Sequence, residues 1–106
     1  MIRRLTERDH ETCIALISKR PAENLFIIGD IEAYGYDQPF QQLWGDFADD
    51  GQLRAVLLNY EGNYIPYAES QFNAEGFAAI IKTDQNSIML SGLLQVTSQM
   101  TPFFDR

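Results

Sequence analysis

The sequence contains few of the side chains that support thiol or metal chemistry. It has one cysteine, Cys13, and one histidine, His10. A lone cysteine cannot form an internal disulfide, and one residue of each kind cannot complete a standard zinc site. Cys13 lies in a helical apolar pattern with no oriented third group beside His10, so we interpret both as structural rather than catalytic. Without disulfides the chain suits a reducing compartment, which predicts a cytoplasmic location.

Basic residues and long apolar runs are also scarce. Eight Lys and Arg stand against fifteen Asp and Glu, which gives a net charge of −7. Such a surface repels phosphate backbones, so we expect no nucleic-acid partner and favour a cationic small molecule or a basic protein. The longest apolar runs, residues 25–28 and 55–58, are too short to span a bilayer, so no membrane partner is expected.

The chain does contain enough apolar bulk for a folded core. Hydrophobic residues make up 45% of its 106 positions and include seven Phe and five Tyr. A core of that size needs no disulfide or metal, so we expect one domain over residues 1–106.

Local signals divide this domain into helices and strands. Thr6 and Asp9 fit a capping box, Gly35 is suited to end a helix, and Asp49-Asp50-Gly51 indicates a hairpin turn. The predicted elements are a strand at 1–5, a helix from the Thr6 cap to 19, a helix at 22–34, strands at 42–48, 52–60 and 63–68, a helix at 74–83, a strand at 87–91 and an optional helix at 93–100.

This order predicts an α/β protein of the α+β type, with a mixed, mostly antiparallel sheet and the order β-α-α-β-β-β-α-β. The strand at 52–60 is apolar on both faces and should be central. The strand at 63–68 should have one unpaired flank because Pro66 cannot donate to a ladder. Gly29, inside a helix, suggests that another element packs closely against it.

One segment carries a family resemblance. Residues 21–32 read P-A-E-N-L-F-I-I-G-D-I-E and resemble the N-L-F-x-x-G-x-x-E second helix of two-domain GNAT-like N-acetyltransferases. Residues 44–47 and 53–58 are similar to the second and third strands of that family. The resemblance covers most of the chain and identifies it with the N-terminal, degenerate domain of such a protein. It implies a non-catalytic domain that contributes structure and the acyl-acceptor side of the site.

The same resemblance implies where the cofactor belongs. GNAT enzymes hold acetyl-CoA with a Q/R-x-x-G-x-G/A loop between the fourth strand and the third helix. Residues 68–76 here have one glycine and carry Glu69 and Glu75 where a pyrophosphate would lie. We therefore expect this chain to bind no cofactor. Acetyl-CoA is implied for a parent protein, and the partner of this chain would be the missing C-terminal acetyltransferase domain.

Four residues are candidates for the substrate-binding site: Glu32, Tyr34, Tyr64 and Tyr67. Helical periodicity places Glu32 on an apolar face, either as a contact to a substrate amine or an interface, or as a last-turn side chain that reaches water or a core partner. The tyrosines predict either an aromatic pocket, with one as a general acid, or packing at the edge of the core.

A second reading makes the chain a free-standing interaction module that forms a homodimer. Phe103 and Phe104, together with the open side of the last strand, would be uncovered in an isolated chain and would favour pairing with a second copy. A third reading is a complete small acyltransferase with an unusual cofactor site.

Overall fold

A computed structural model of the chain describes residues 1–104. The sheet has six strands: β1 Ile2–Arg4, β2 Asp37–Gln38, β3 Gln41–Phe47, β4 Leu53–Tyr60, β5 Asn63–Ala68 and β6 Met89–Leu90. The α-helices are α1 His10–Ile17, α2 Leu25–Tyr34, α3 Ala74–Thr83 and α4 Leu94–Thr97, and 3₁₀ turns lie at Glu7–Asp9 and Thr101–Phe103. None of the helices within residues 1–104 is long and apolar enough to cross a membrane.

The sheet confirms the predicted fold class. Its order is β1-β3-β4-β5-β6, with β2 paired to the β3 end that β1 leaves free. Every pairing is antiparallel except β5 with β6, which α3 connects. The central strand is β4, whose residues 55–58 are all buried, as their apolar pattern predicts.

Side-chain alternation along the strands divides the core into two layers. Val56, Leu58 and Tyr67 face α1 and α2, where they pack with Cys13 and Ile31. The alternate strand residues, which include Leu57 and Tyr64, face the other way and pack with Phe77 of α3, Val96 of α4 and Met100. The first two helices therefore cover one face of the sheet and the third covers the other.

The start of the chain follows the predicted cap. The Thr6 hydroxyl accepts from the Arg8 backbone N–H, and the Asp9 carboxylate accepts from the Thr6 N–H at 2.9 Å. Arg3 donates two hydrogen bonds to Asp9, which lowers the pKa of that carboxyl to about 2. The capping box thus joins β1 to the first turn before α1.

Pro66 limits the parallel ladder between β5 and β6. The N–H groups of Met89 and Ser91 donate to the carbonyls of Gly62 and Tyr64. The next bond of a parallel ladder would need a donor at position 66, which proline lacks. Pairing consequently ends at Tyr64, and the predicted unpaired flank of β5 is present.

Three predicted elements differ from the structure. The helix expected from residue 22 begins at Leu25, because the buried Asn24 side chain donates to the Ile17 carbonyl at the end of α1 and holds the intervening residues in a turn. The strand expected at 87–91 is two residues long, and the helix expected at 93–100 is the single turn α4.

The C-terminal aromatic residues also differ from expectation. Phe103 and Phe104 are half-buried and pack against the second core layer instead of remaining uncovered. The Lys82 ammonium donates to the Phe103 carbonyl at 3.1 Å, which ties this turn to α3.

The expectation of close packing at Gly29 is wrong. Gly29 is exposed on α2, and a Cβ built on it meets nothing within 4 Å among the described residues. Gly45 in β3 is closely packed, since a Cβ added to it would lie 2.7 Å from the Leu5 side chain and 2.8 Å from the Leu53 side chain.

We therefore expect Gly29→Ala to raise the free energy of unfolding by about 0.5–1 kcal/mol, because alanine loses less backbone entropy in a helix and nothing obstructs its methyl group. Gly45→Ala should lower the same quantity, since its methyl group would displace core side chains. Urea unfolding followed by circular dichroism measures both changes. A destabilised Gly29→Ala variant would contradict the open environment described for this position.

Candidate functional site

The structure separates the four predicted substrate-binding residues. Glu32 and Tyr34 are exposed near the end of α2, Tyr67 is buried in the first core layer, and Tyr64 is buried in the second. Helical periodicity places Glu32 on the side of α2 that carries Leu25, and this side is exposed because α2 buries Ile27 and Ile31. These four residues do not share one pocket.

The other tyrosines form separate groups. Tyr34 and Tyr60 stack with ring centroids 5.9 Å apart, and Phe40 meets both rings edge-on. These three rings pack against one another and leave no space for a ligand between them. Tyr36 is buried beside Cys13, and its hydroxyl lies 2.8 Å from Nδ1 of His10. Burial raises the pKa of Cys13 to about 11, which agrees with a structural thiol.

The strongest candidate site is a cleft on the α3 face of the sheet. It has a volume of about 460 Å³ and lies between β3, the β4–β5 turn and the loop that follows α3. The side chains that give it chemical character are Gln42, Trp44, Asn59, Glu61, Tyr64 and Asp84. Strand register brings three of them into one row, since Gln42 is opposite Asn59 and Asn59 is opposite Tyr64.

Two stacked aromatic rings form part of the apolar lining of the cleft, together with Pro39, Phe40 and Ile80. The rings of Trp44 and Tyr64 stack with centroids 6.2 Å apart and an angle of 28° between their planes. The Arg4 guanidinium approaches Trp44 to 5.5 Å from the ring centroid and pairs with Asp37 at 3.2 Å. The positive charge nearest to the indole is thus already matched by a carboxylate.

Most neutral polar side chains of the cleft form hydrogen bonds with one another or with nearby backbone groups. The Asn59 amide donates to Gln42 Oε1 at 2.8 Å, and the Gln42 amide donates to the carbonyls of Gln38 and Pro39. Asn59 Oδ1 accepts from the Gly62 N–H. The charged groups on the cleft wall are the carboxylates of Glu61 and Asp84, so the cleft favours a cation.

Asp84 is the better placed of these carboxylates. It is half-buried, its Oδ2 accepts from the Tyr64 hydroxyl at 2.7 Å, and its Oδ1 accepts from the Asn86 N–H at 2.8 Å. Each carboxylate oxygen has further lone pairs, so Asp84 can still accept from a ligand. Burial, together with the neighbouring Asp84, raises the pKa of Tyr64, so its phenol remains a donor at neutral pH.

The start of α3 is the place where the resemblance would put a cofactor pyrophosphate. The Asn73 N–H donates to Asp46 Oδ2, the Ala74 N–H to the Phe72 carbonyl, and the Gly76 N–H to Asn73 Oδ1. Asp46 is fully buried and is held by Arg54 at 2.8 Å. Residues of the chain itself thus occupy these donors, and the residues present do not fit a bound pyrophosphate.

Glu69 has a defined role in the loop before α3. Its carboxylate accepts from the Tyr67 hydroxyl at 2.5 Å. Burial and this carboxylate raise the pKa of Tyr67 to about 12. Glu69 therefore anchors the end of β5 on the face of the sheet that α1 and α2 cover.

Within residues 1–104 no group of three or more His, Cys, Asp and Glu side chains is placed to hold a metal ion. Comparisons with protein-family models, with curated proteins and with solved structures find no match for this chain. What the chain does has to be inferred from its own residues.

Sequence reasoning found Tyr64 but missed its partners Trp44 and Asp84. Alternation along β3 puts Trp44 on the same face as Gln42. The two short turns, β3–β4 and β4–β5, set the strand registers that put Tyr64 on that face as well, so this contact could have been predicted. Asp84 lies outside the strands, and its position depends on how α3 crosses the sheet. No local signal in the sequence indicates that contact.

Tyr64→Phe tests the central contact of the cleft. We expect it to lower the free energy of unfolding by about 1 kcal/mol at pH 7, since it removes a hydrogen bond to a half-buried carboxylate. The folded-state pKa of Tyr64 is raised above the ordinary value near 10, so its stabilisation is complete below pH 10 and is lost as the pH rises further. The variant should therefore lose stability less steeply than the natural chain above pH 10.

Urea unfolding at a series of pH values between 7 and 11.5 measures both effects. Tyr34→Phe is the matched control, because it removes an exposed hydroxyl and should change stability by less than about 0.5 kcal/mol. Equal alkaline slopes for the natural chain and Tyr64→Phe would rule out the buried Tyr64–Asp84 contact.

Proposed function

We propose that this chain is a cytoplasmic, non-catalytic domain of the kind found at the N-terminus of GNAT-like N-acetyltransferases. In this proposal it contributes structure and the acyl-acceptor side of the site, while another domain holds acetyl-CoA. The observation that carries the proposal is the start of α3, where the chain uses its own acceptors on the N–H groups that a pyrophosphate would need.

The order of the elements supports the fold part of this proposal. A strand, two helices, an antiparallel run through β5 and a helix leading to a parallel strand form the sequence of elements that the resemblance implies. Proteins with the same order of elements can have unrelated functions. The functional part of the proposal therefore depends on the start of α3 and on the cleft at Tyr64.

Electrostatics supports the absence of a cofactor role. A helix start attracts anions through free N–H groups and the positive end of its dipole. Here Asn73 caps that end through its own side chain, and the Asp46 carboxylate accepts from the backbone N–H just before the helix. Glu75 in the first turn of α3 adds further negative charge, and the chain as a whole has a net charge of −7.

Isothermal titration of acetyl-CoA into the purified chain tests this part. At about 20 mM salt, where any attraction is least screened, we expect no saturable heat with ligand up to about 1 mM. Asn73→Gly with Glu75→Gln is the companion variant, since it frees the Gly76 N–H and removes one charge from the first turn of α3. A low-micromolar dissociation constant for the natural chain would overturn the proposal and revive a complete small acyltransferase.

The cleft at Tyr64 supports the acceptor side of the proposal. An acyl acceptor of an N-acetyltransferase is an amine, which is mostly protonated at neutral pH. The cleft offers such a cation the Asp84 and Glu61 carboxylates beside the half-buried Trp44 side chain. Its volume of about 460 Å³ lies in the range of small-molecule sites.

The single tryptophan makes this cleft directly observable. Because Trp44 is the only tryptophan in the chain, intrinsic fluorescence at 295 nm excitation reports on the cleft. We expect hexylamine to change this signal in a saturable way and N-hexylacetamide, which has no charge, to have little effect. Asp84→Asn should weaken amine binding at least about tenfold, which corresponds to about 1.4 kcal/mol.

Asp49→Asn is the matched control, since Asp49 lies in the turn at the opposite end of β3 and should leave the titration unchanged. An equal response to the amine and the amide, or an Asp84→Asn variant that binds normally, would show that the cleft does not select cations. That result would leave the acetyl-CoA test unaffected, so the two parts of the proposal can fail separately.

A further inference from the structure

The C-terminal fifth of the chain differs from the rest in charge. Residues 85–104 contain no Asp, Glu, Lys, Arg or His, although the whole chain has a net charge of −7. The acidic residues are thus concentrated in the preceding segment. This segment itself adds no charge to a contact with a second copy, and the neighbouring carboxylates are those of Glu61, next to the Gly62 that accepts from Ile88 and Met89, and of Asp84.

The same segment exposes large apolar side chains. Ile88 is 78% exposed, Met89 is 56% exposed, and Leu94 is 79% exposed. They lie just before β6, within β6 and at the start of α4, so they flank one strand. Grouped exposed apolar residues of this kind mark interaction surfaces, whereas isolated ones are common on any protein.

The strand between them has an unpaired edge. Within residues 1–104, β6 is the last strand of the sheet and pairs with β5 alone. The Met89 and Ser91 N–H groups point toward β5, so alternation directs the N–H and C=O of Leu90 outward. Neither β6 nor its flanks carry the Lys, Pro or inward charge that commonly protects such an edge.

We propose that this uncharged edge, residues 88–94, binds the same surface of a second copy of the chain about a twofold axis. In this arrangement β6 pairs antiparallel with β6 of the other copy through the outward groups of Leu90, and Ile88, Met89 and Leu94 are covered. A twofold interface brings each patch against itself, so an uncharged apolar patch is self-complementary.

The other exposed apolar group of the chain is less suited to this role. Leu25 is 64% exposed and Phe26 is 74% exposed on α2, but Glu23 precedes them and Glu32 shares their surface. A twofold contact there would bring carboxylates of the two copies together. It would also have no unpaired strand edge to supply backbone hydrogen bonds.

Sedimentation velocity on the natural chain and on matched variants tests the proposal. We expect the natural chain to dimerise in the micromolar range, with dimerisation strengthened between 50 and 500 mM NaCl because salt screens the repulsion between two acidic copies. Ile88→Asp and Leu94→Asp should weaken the dimer at least tenfold. Leu25→Asp and Phe26→Asp, which place the same charge at comparably exposed positions, should leave it unchanged.

Disulfide trapping locates the contact independently of folding effects. Cys13 is fully buried, so a newly introduced surface cysteine dominates the reaction. Met89→Cys, close to the proposed axis, should cross-link two copies on mild oxidation, and Phe26→Cys should not. A natural chain that remains monomeric at several hundred micromolar, a dimer that persists in Leu94→Asp, or selective cross-linking through Phe26→Cys would each overturn the proposal.

Discussion

The buried carboxylate of Asp46 connects the sheet to the helix that crosses it. Its Oδ2 accepts from Arg54 on the neighbouring strand and from the Asn73 N–H that precedes α3, both at 2.8 Å. Its Oδ1 has no hydrogen-bond partner within the described residues, and the Met1 ammonium lies 3.6 Å away. A charge buried in this way is costly without its partners, so the chain can fold well only when β3, β4 and the α3 loop meet. The position of α3, and with it Asp84 and the cleft, follows from that contact.

The two ends of α3 have opposite chemical characters as a consequence. At its start, backbone donors are already satisfied by Asn73, Phe72 and Asp46. Past its end, Asp84 turns back to the sheet to accept from Tyr64 and leaves a carboxylate beside two aromatic rings. The first end has few free donors for an anion, and the second offers a cation the Asp84 carboxylate beside Trp44. A division of labour between this domain and a cofactor-binding one is consistent with both ends.

The elements that the sequence predicts accurately are those with a turn or capping residue at their boundaries. β5 and α3 occupy the predicted residues because Gly62 adopts a positive φ at one boundary and Asn73 caps the other. The predicted length of β6 is too great, because the observed length depends on Pro66, which belongs to a different strand. The start of α2 was misplaced because a side chain of residue 24 binds the preceding helix.

The candidate site was less accessible to sequence reasoning than the fold. Periodicity places Glu32 on the same side of α2 as Leu25, but in a helix this apolar it does not show that Ile27 and Ile31 are the buried residues and that the Leu25 side is exposed. Of the predicted tyrosines, Tyr64 and Tyr67 differ by three positions on one strand, which sends them to opposite faces of the sheet. Only the register between strands, together with the path of α3, shows that Tyr64 meets Trp44 and Asp84.

Pro66 limits the strand pairing at the β6 edge of the sheet. Its missing donor stops the parallel ladder, and Gly92, at a φ of +124°, turns the chain at a point where an added Cβ would lie 3.3 Å from the Pro66 carbonyl. Any other residue at position 66 would restore this donor, but the turn at Gly92 would still direct the chain away from β5. The last strand is therefore limited twice, by a missing N–H group on β5 and by a glycine conformation in its own segment.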